Sequence, residues 1–111
     1  MNDSALSLLG LCRKAGKMSM GHDACKIALK TGSAELCVIC SDASERLDGE
    51  ITFLAEQAQV TLYSVDYTMF DIQQATGFKA SVFTIDDAGF AKSFIKKLND
   101  NKSGKERVYG N

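Results

Sequence analysis

The chain has 111 residues, 45% of them hydrophobic and 24% charged, with nine glycines, four cysteines and no proline. That length supports one compact domain, and that composition excludes a mainly disordered chain. No apolar run approaches the ~18–20 residues needed to cross a bilayer, and the N-terminus lacks a secretory signal, so a soluble cytoplasmic protein is expected. The net charge of −1 does not by itself mark a nucleic-acid binder. Its distribution is more informative: residues 1–30 carry +3, residues 31–78 carry −7, and residues 79–111 carry +3. The ends are basic and the centre is acidic.

The first predicted element is a helix over 4–15, with Ser4 as N-cap, Leu6, Leu9, Cys12 and Arg13 at helical spacing, and Gly16 as the stop. Lys17 to Met20 alternates as a short strand before Gly21. A helix over 22–31 follows, with Cys25, Ala28 and Leu29 on its apolar face and Gly32 at its end. Leu36 to Cys40 is a continuous apolar run, the pattern of a strand covered on both faces. Asp42 and Glu45 have capping-box spacing, so a third helix is expected to start there and run through Ile51, Leu54, Ala55 and Ala58. Val60 to Val65 reads as a strand, Met69 to Gly77 as a short helix, and Ser81 to Ile85 as a strand. A last helix starts at Asp86 or Asp87, with Phe90, Phe94, Ile95 and Leu98 inward and Lys92, Lys96 and Lys97 outward. Strands alternating with helices predict an α/β fold: a three-layer α/β/α sandwich with a central mixed four-stranded sheet. One domain over 1–99 is expected, followed by a flexible polar tail over 100–111.

Leu8-Leu9-Gly10-Leu11-Cys12-Arg13-Lys14-Ala15-Gly16-Lys17, followed by Gly21, sets a basic turn beside a glycine-opened helix start. A helix N-terminus exposes N–H groups without intrahelical partners and the positive end of the helix dipole, which together attract phosphate. Lys14 and Lys17 are candidate phosphate contacts, against the alternative of a solvated basic turn. His22, the only histidine, is a candidate phosphate contact or a bystander at the helix start. Cys12, Cys25, Cys37 and Cys40 read as small buried hydrophobes. Cys37 and Cys40 have the spacing of half a zinc knuckle, but three residues apart on a strand point to opposite faces and there is no second pair, so no metal is expected. Asp42, Ser44 and Glu45 are explained by capping rather than acid–base chemistry. There is no Walker loop, no Gly-x-Gly-x-x-Gly after a strand and no oriented Cys–His pair, so neither an enzyme nor a cofactor is expected.

The opening motif, the Gly21 to Gly32 spacing, Ser41-Asp42-Ala43-Ser44 and Asp86-Asp87-Ala88-Gly89-Phe90-Ala91-Lys92 together resemble the kink-turn-binding ribosomal proteins of the L7Ae and L30e type, and within them the bacterial YlxQ-type branch. The resemblance implies that the helix after Gly21 enters the groove of a sharply bent RNA and reads tandem sheared G·A pairs, usually through an Asn, a Glu and a Lys. Asp23 stands at the Asn position, Ala24 at the Glu position and Ile27 at the Lys position, and Lys26 lies one residue early. Residues one apart on a helix diverge by about 100°, so Lys26 does not simply replace a Lys at 27. Weakened or altered RNA reading is expected. The resemblance also implies a second contact from Gly77-Phe78-Lys79-Ala80-Ser81, with Phe78 against an extruded base and Lys79 at a phosphate, while Gln73 stands where the family often has Gly.

The leading expectation is a non-catalytic, cytoplasmic RNA-binding protein whose partner is a structured RNA such as ribosomal RNA, through Lys14, Lys17, Gly21, His22, Asp23, Lys26, Phe78 and Lys79. The alternative is a protein-interaction adaptor on the same fold, with a protein partner and weakened RNA reading. A third reading is a small-ligand domain of flavodoxin-like layout.

Overall fold

The structure, a computed structural model, describes residues 3–108. α1 (Ser4–Lys14) is capped by Asp3 rather than Ser4: one carboxylate oxygen accepts the Ala5 and Leu6 N–H groups at 2.8 and 3.2 Å. The other oxygen accepts the Tyr67 hydroxyl at 2.8 Å, so this cap also fastens the helix start to a distant loop. β1 (Met18–Met20) leads through Gly21 into α2 (His22–Thr31), and β2 (Leu36–Ile39) follows.

α3 (Glu45–Ala58) starts two residues later than the Asp42–Glu45 pair predicted. Ser44 is its N-cap, accepting the Leu47 N–H at 3.1 Å. Asp42 instead accepts the Met69 N–H, at 3.1 and 3.3 Å, and thereby serves the first turn of another helix. β3 (Leu62–Val65) precedes that helix, α4 (Met69–Thr76), which has a capping box of its own between Thr68 and Asp71. β4 (Val82–Ile85) and α5 (Ala88–Asn101, capped by Asp87) complete the predicted elements.

The sheet has five strands rather than four. β5 (Gly104–Glu106), in the segment expected as a polar tail, pairs antiparallel with β3. Strand order is β1-β4-β2-β3-β5, with β2 and β3 parallel and every other pairing antiparallel. Residues 109–111 of the expected tail lie outside the described residues.

Strand alternation divides the core into two layers. Leu36, Val38, Tyr63, Phe83 and Ile85 face Leu9 of α1, Ile72 of α4 and Phe94 and Leu98 of α5. Cys37, Ile39, Leu62 and Val82 face Cys25, Ala28 and Leu29 of α2 and Ile51 and Ala55 of α3. The three-layer α/β/α arrangement is therefore as the element order implies, and Cys37 and Cys40 do fall on opposite faces.

β5 has no apolar alternation, and side chains beyond it hold the segment. The Arg107 guanidinium donates to both Asp48 carboxylate oxygens, at 2.8 and 3.1 Å, and to Ser64 Oγ at 2.9 Å. These hydrogen bonds hold the Asp48 carboxyl below its ordinary pKa, with desolvation opposing. A carboxylate depressed in the folded state contributes stability above its unfolded pKa of ~3.9 and loses it as pH falls through the folded value. Both partners are about one-third exposed, which screens the pair. Arg107→Ala is expected to lower stability by ~1–2 kcal/mol at neutral pH, and the gap from the parent should narrow below pH ~4, as read by urea denaturation at both pH values.

Candidate functional site

The site begins with a backbone constraint. Gly21 sits at φ 91° and ψ 172°, a region that essentially only glycine occupies. This lets β1 pass into α2 with no intervening loop. The Gly21 N–H donates to the Val82 carbonyl at 3.0 Å, and the Gly21 carbonyl accepts the first helical bond, from Cys25. No side chain caps α2, whereas α1, α3, α4 and α5 are capped by Asp3, Ser44, Thr68 and Asp87. The first-turn amides of α2 are thus left pointing outward at the positive end of the helix dipole.

Val82 is the first residue of β4 and directly follows the 77–81 loop, so strand pairing sets that loop beside the start of α2. The ends of β2 and β3 gather at the same edge: Cys40 N–H donates to Ser81, and Ser41 N–H to Tyr67. Within the loop, Phe78 is 41% exposed, and the Arg13 guanidinium lies 5.5 Å from its ring centroid. Cation–π pairs at exposed sites contribute ~0.5–1 kcal/mol. Their approach depends on Gly10, where an added Cβ would lie 2.9 Å from the Ala75 carbonyl oxygen; the missing side chain lets α1 lie close on α4.

The predicted residues do not form one cluster. Gly21, the half-buried His22 and the exposed Asp23 form the start of α2. Phe78 and the exposed Lys79 are in the adjoining loop, and Lys14, exposed, ends α1 next to Arg13. Lys17 is exposed at the other end of the β1–β4 ladder, where its carbonyl accepts the Asp86 N–H at 2.8 Å. With three paired residues between, four strand steps, it stands roughly 13 Å from Gly21 at the start of α2. Lys26 is four residues from His22 and turns with it toward α3.

Two neighbours had no local signal in the sequence. Arg13 belongs to the basic turn in sequence, but its place over the Phe78 ring does not follow from that. Glu50 of α3 places Oε2 2.9 Å from His22 Nε2, an ion pair when the imidazole is protonated, though the approach is off the line of a hydrogen bond.

The four thiols offer no nucleophile at neutral pH. Burial is the largest cause in each. It pushes Cys12 up to about 11, with Asp87 and Asp86 adding to it, Cys37 and Cys40 up to about 12, and Cys25 higher still. Among the described residues no group of three or more His, Cys, Asp or Glu side chains is placed to hold a metal ion, and no helix is long and apolar enough to cross a membrane.

A glycine-opened helix start thus lies beside a loop aromatic on a five-stranded α/β/α sandwich. The model of the ribosomal protein L7Ae/L30e/S12e/Gadd45 family matches residues 3–95, and the chain belongs to that family. The RNA-binding protein YlxQ of Enterococcus faecium is 28% identical over 88 residues, covering 79% of this chain and 84% of that protein. The large ribosomal subunit protein eL8 of Haloquadratum walsbyi is 33% identical over 99 residues, covering 86% and 82% respectively. The large ribosomal subunit protein eL30 of Yarrowia lipolytica is 29% identical over 99 residues, covering 87% and 91%. A protein of unknown function from Bacillus halodurans shares the fold, with a TM-score of 0.81 at 23% identity over 88% of this chain and 99% of that one.

Gly21→Ala is expected to destabilise the protein by ~1–3 kcal/mol through backbone strain alone, since the space around an added Cβ is open. Thermal denaturation checks this. In the native protein all four cysteines should resist Ellman's reagent at neutral pH, and all four should react after unfolding in guanidinium.

Proposed function

We propose that this protein is a non-catalytic, cytoplasmic RNA-binding protein that recognises a sharply bent, kink-turn-like element of a structured RNA such as ribosomal RNA. The observation that carries the reading is the uncapped start of α2 at Gly21, with the Phe78 loop set beside it by the β1–β4 pairing. Family membership supports it, as do relatives named as an RNA-binding protein and as large-subunit ribosomal proteins.

In this reading the first-turn amides of α2 receive a phosphate, with Lys26 a turn further along. Lys14 and Lys79 neutralise backbone phosphates near the loop, and Lys17 does so at the far end of the β1–β4 ladder. Phe78, held by Arg13, stacks on an unpaired base, a contact of ~1–3 kcal/mol. Asp23 accepts hydrogen bonds from a base edge but donates none. Ala24 and Ile27 supply no polar group where the family uses Glu and Lys, so positioning by backbone and shape outweighs direct base reading. Ile27 is also the observation that favours a protein-interaction adaptor as a second reading, because it is 63% exposed on the outer face of α2.

The test is a titration of a kink-turn RNA, and of the same RNA with its tandem G·A pairs replaced, at two salt concentrations. The intact RNA should bind more tightly. Its affinity should fall roughly a hundredfold between about 50 and about 200 mM salt, the loss for about four neutralised phosphates. Phe78→Ala should weaken binding by ~10-fold or more. Equal affinity for both RNAs, or none for either, overturns the reading.

A further inference from the structure

α2 and α3 lie side by side and precede the parallel neighbours β2 and β3. Two pairs of neighbouring residues fix their relative height. His22 is level with Glu50, and Leu29 and Lys30 share a groove wall with Gln57 and Ala58. The helices therefore run in the same direction, with α3 numbered about 28 ahead of α2 at the same level.

The groove between them has a volume of about 380 Å³, and Leu29 and Leu54 lie in it. Phe53 of α3, 59% exposed, lines it as well, and on α2 a second large apolar side chain, Ile27, is 63% exposed three residues from the lining residue Lys30. An isolated exposed apolar residue needs no explanation, but two on adjacent helices, one of them lining a groove between those helices, are of the kind that marks an interface. The flanking charges are sorted by helix. α2 contributes Lys26 and Lys30, and α3 contributes Glu50 and Glu56. The exceptions, Asp23 and Arg46, lie toward the N-terminal ends of the two helices.

A surface with a basic half, an acidic half and an apolar seam complements itself when rotated about an axis along the seam. We propose that two copies of this chain associate about a two-fold axis parallel to the groove, with α2 of each copy laid on α3 of the other. Such a rotation preserves height along the helices. Ile27 then meets Phe53 of the second copy, within two residues or ~3 Å along the axis, and Lys30 meets Glu56 of the second copy within the same margin. A perpendicular axis would instead place α2 on α2 and bring lysine against lysine. The interface overlaps the proposed RNA surface at Lys26 and Ile27 of α2, so self-association is read on the chain free of RNA, and its outcome does not depend on whether RNA binds.

Sedimentation equilibrium of the full chain from about 10 to about 500 µM tests it. The expected result is a monomer–dimer equilibrium that Phe53→Asp abolishes while the far-UV circular dichroism, and the melting temperature read at a concentration where the parent is monomeric, stay those of the parent. Lys30→Glu and Glu56→Lys should each weaken association about tenfold or more, and the double reversal should recover most of it. A monomer throughout the range overturns the proposal, as does a dimer indifferent to these substitutions or a double variant no tighter than either single one.

Discussion

The backbone of Gly21 is the constraint on which the rest of the site depends. At φ 91° the chain turns from strand to helix within one residue while the same residue still pairs through its N–H with Val82. A side chain at this point would strain the turn, and a longer connection would carry α2 away from the sheet edge. The consequence is spatial: the uncapped amides of α2, the 77–81 loop and the ends of β2 and β3 share one edge, although they are far apart in sequence. On the other face of the sheet, Gly10 has the complementary effect. By letting α1 lie against α4, it brings Arg13 from the basic turn over the Phe78 ring.

The charge pattern becomes intelligible once side chains are placed. The acidic centre of the sequence looks hostile to a polyanion, yet much of that charge is engaged locally. Asp42 and Asp71 cap the first turn of α4, Asp48 is held by Arg107, and Glu50 lies against His22. Nearby, the Asp86 carboxylate accepts the hydroxyls of Ser19 and Thr84 at 2.6 and 2.7 Å and locks the end of the β1–β4 ladder. A net charge near zero thus coexists with an exposed helix start and a set of lysines. Electrostatic character here is a property of surfaces, and chain-level sums miss it.

The α/β/α architecture was legible because periodicity and caps are local signals. The apolar faces of α2 and α5, the two-sided burial of β2 and the glycine at the start of α2 all stand in the sequence. What failed to show depends on distant partners. Asp3 outcompetes Ser4 as a cap while its second oxygen binds Tyr67, 64 residues away. Asp42 has good capping-box spacing with Glu45, but its carboxylate is drawn to Met69 and Ser44 takes the nearer role. β5 lacks any strand signature, since Gly-Lys-Glu alternates nothing; the ladder to β3 and the Arg107 clamp order it. Residue types at the candidate site were equally readable, whereas the Arg13–Phe78 and His22–Glu50 contacts arise only from packing between helices and a loop.

Ile27 shows how one substitution redistributes the work of a helix. A lysine at that position would add a cation a turn from the N-terminus of α2 and extend the phosphate-facing surface. Isoleucine removes that cation and leaves a large apolar side chain in solvent there instead. With Ala24 also apolar, the polar chemistry of α2 is concentrated in its first turn, where backbone amides act without regard to base identity. Selectivity in the proposed RNA complex then falls on geometry, that is, on whether a bent backbone presents phosphate at Gly21 and an unpaired base at Phe78 together. The rigid β1–β4 pairing that fixes the distance between those two points acts as the ruler.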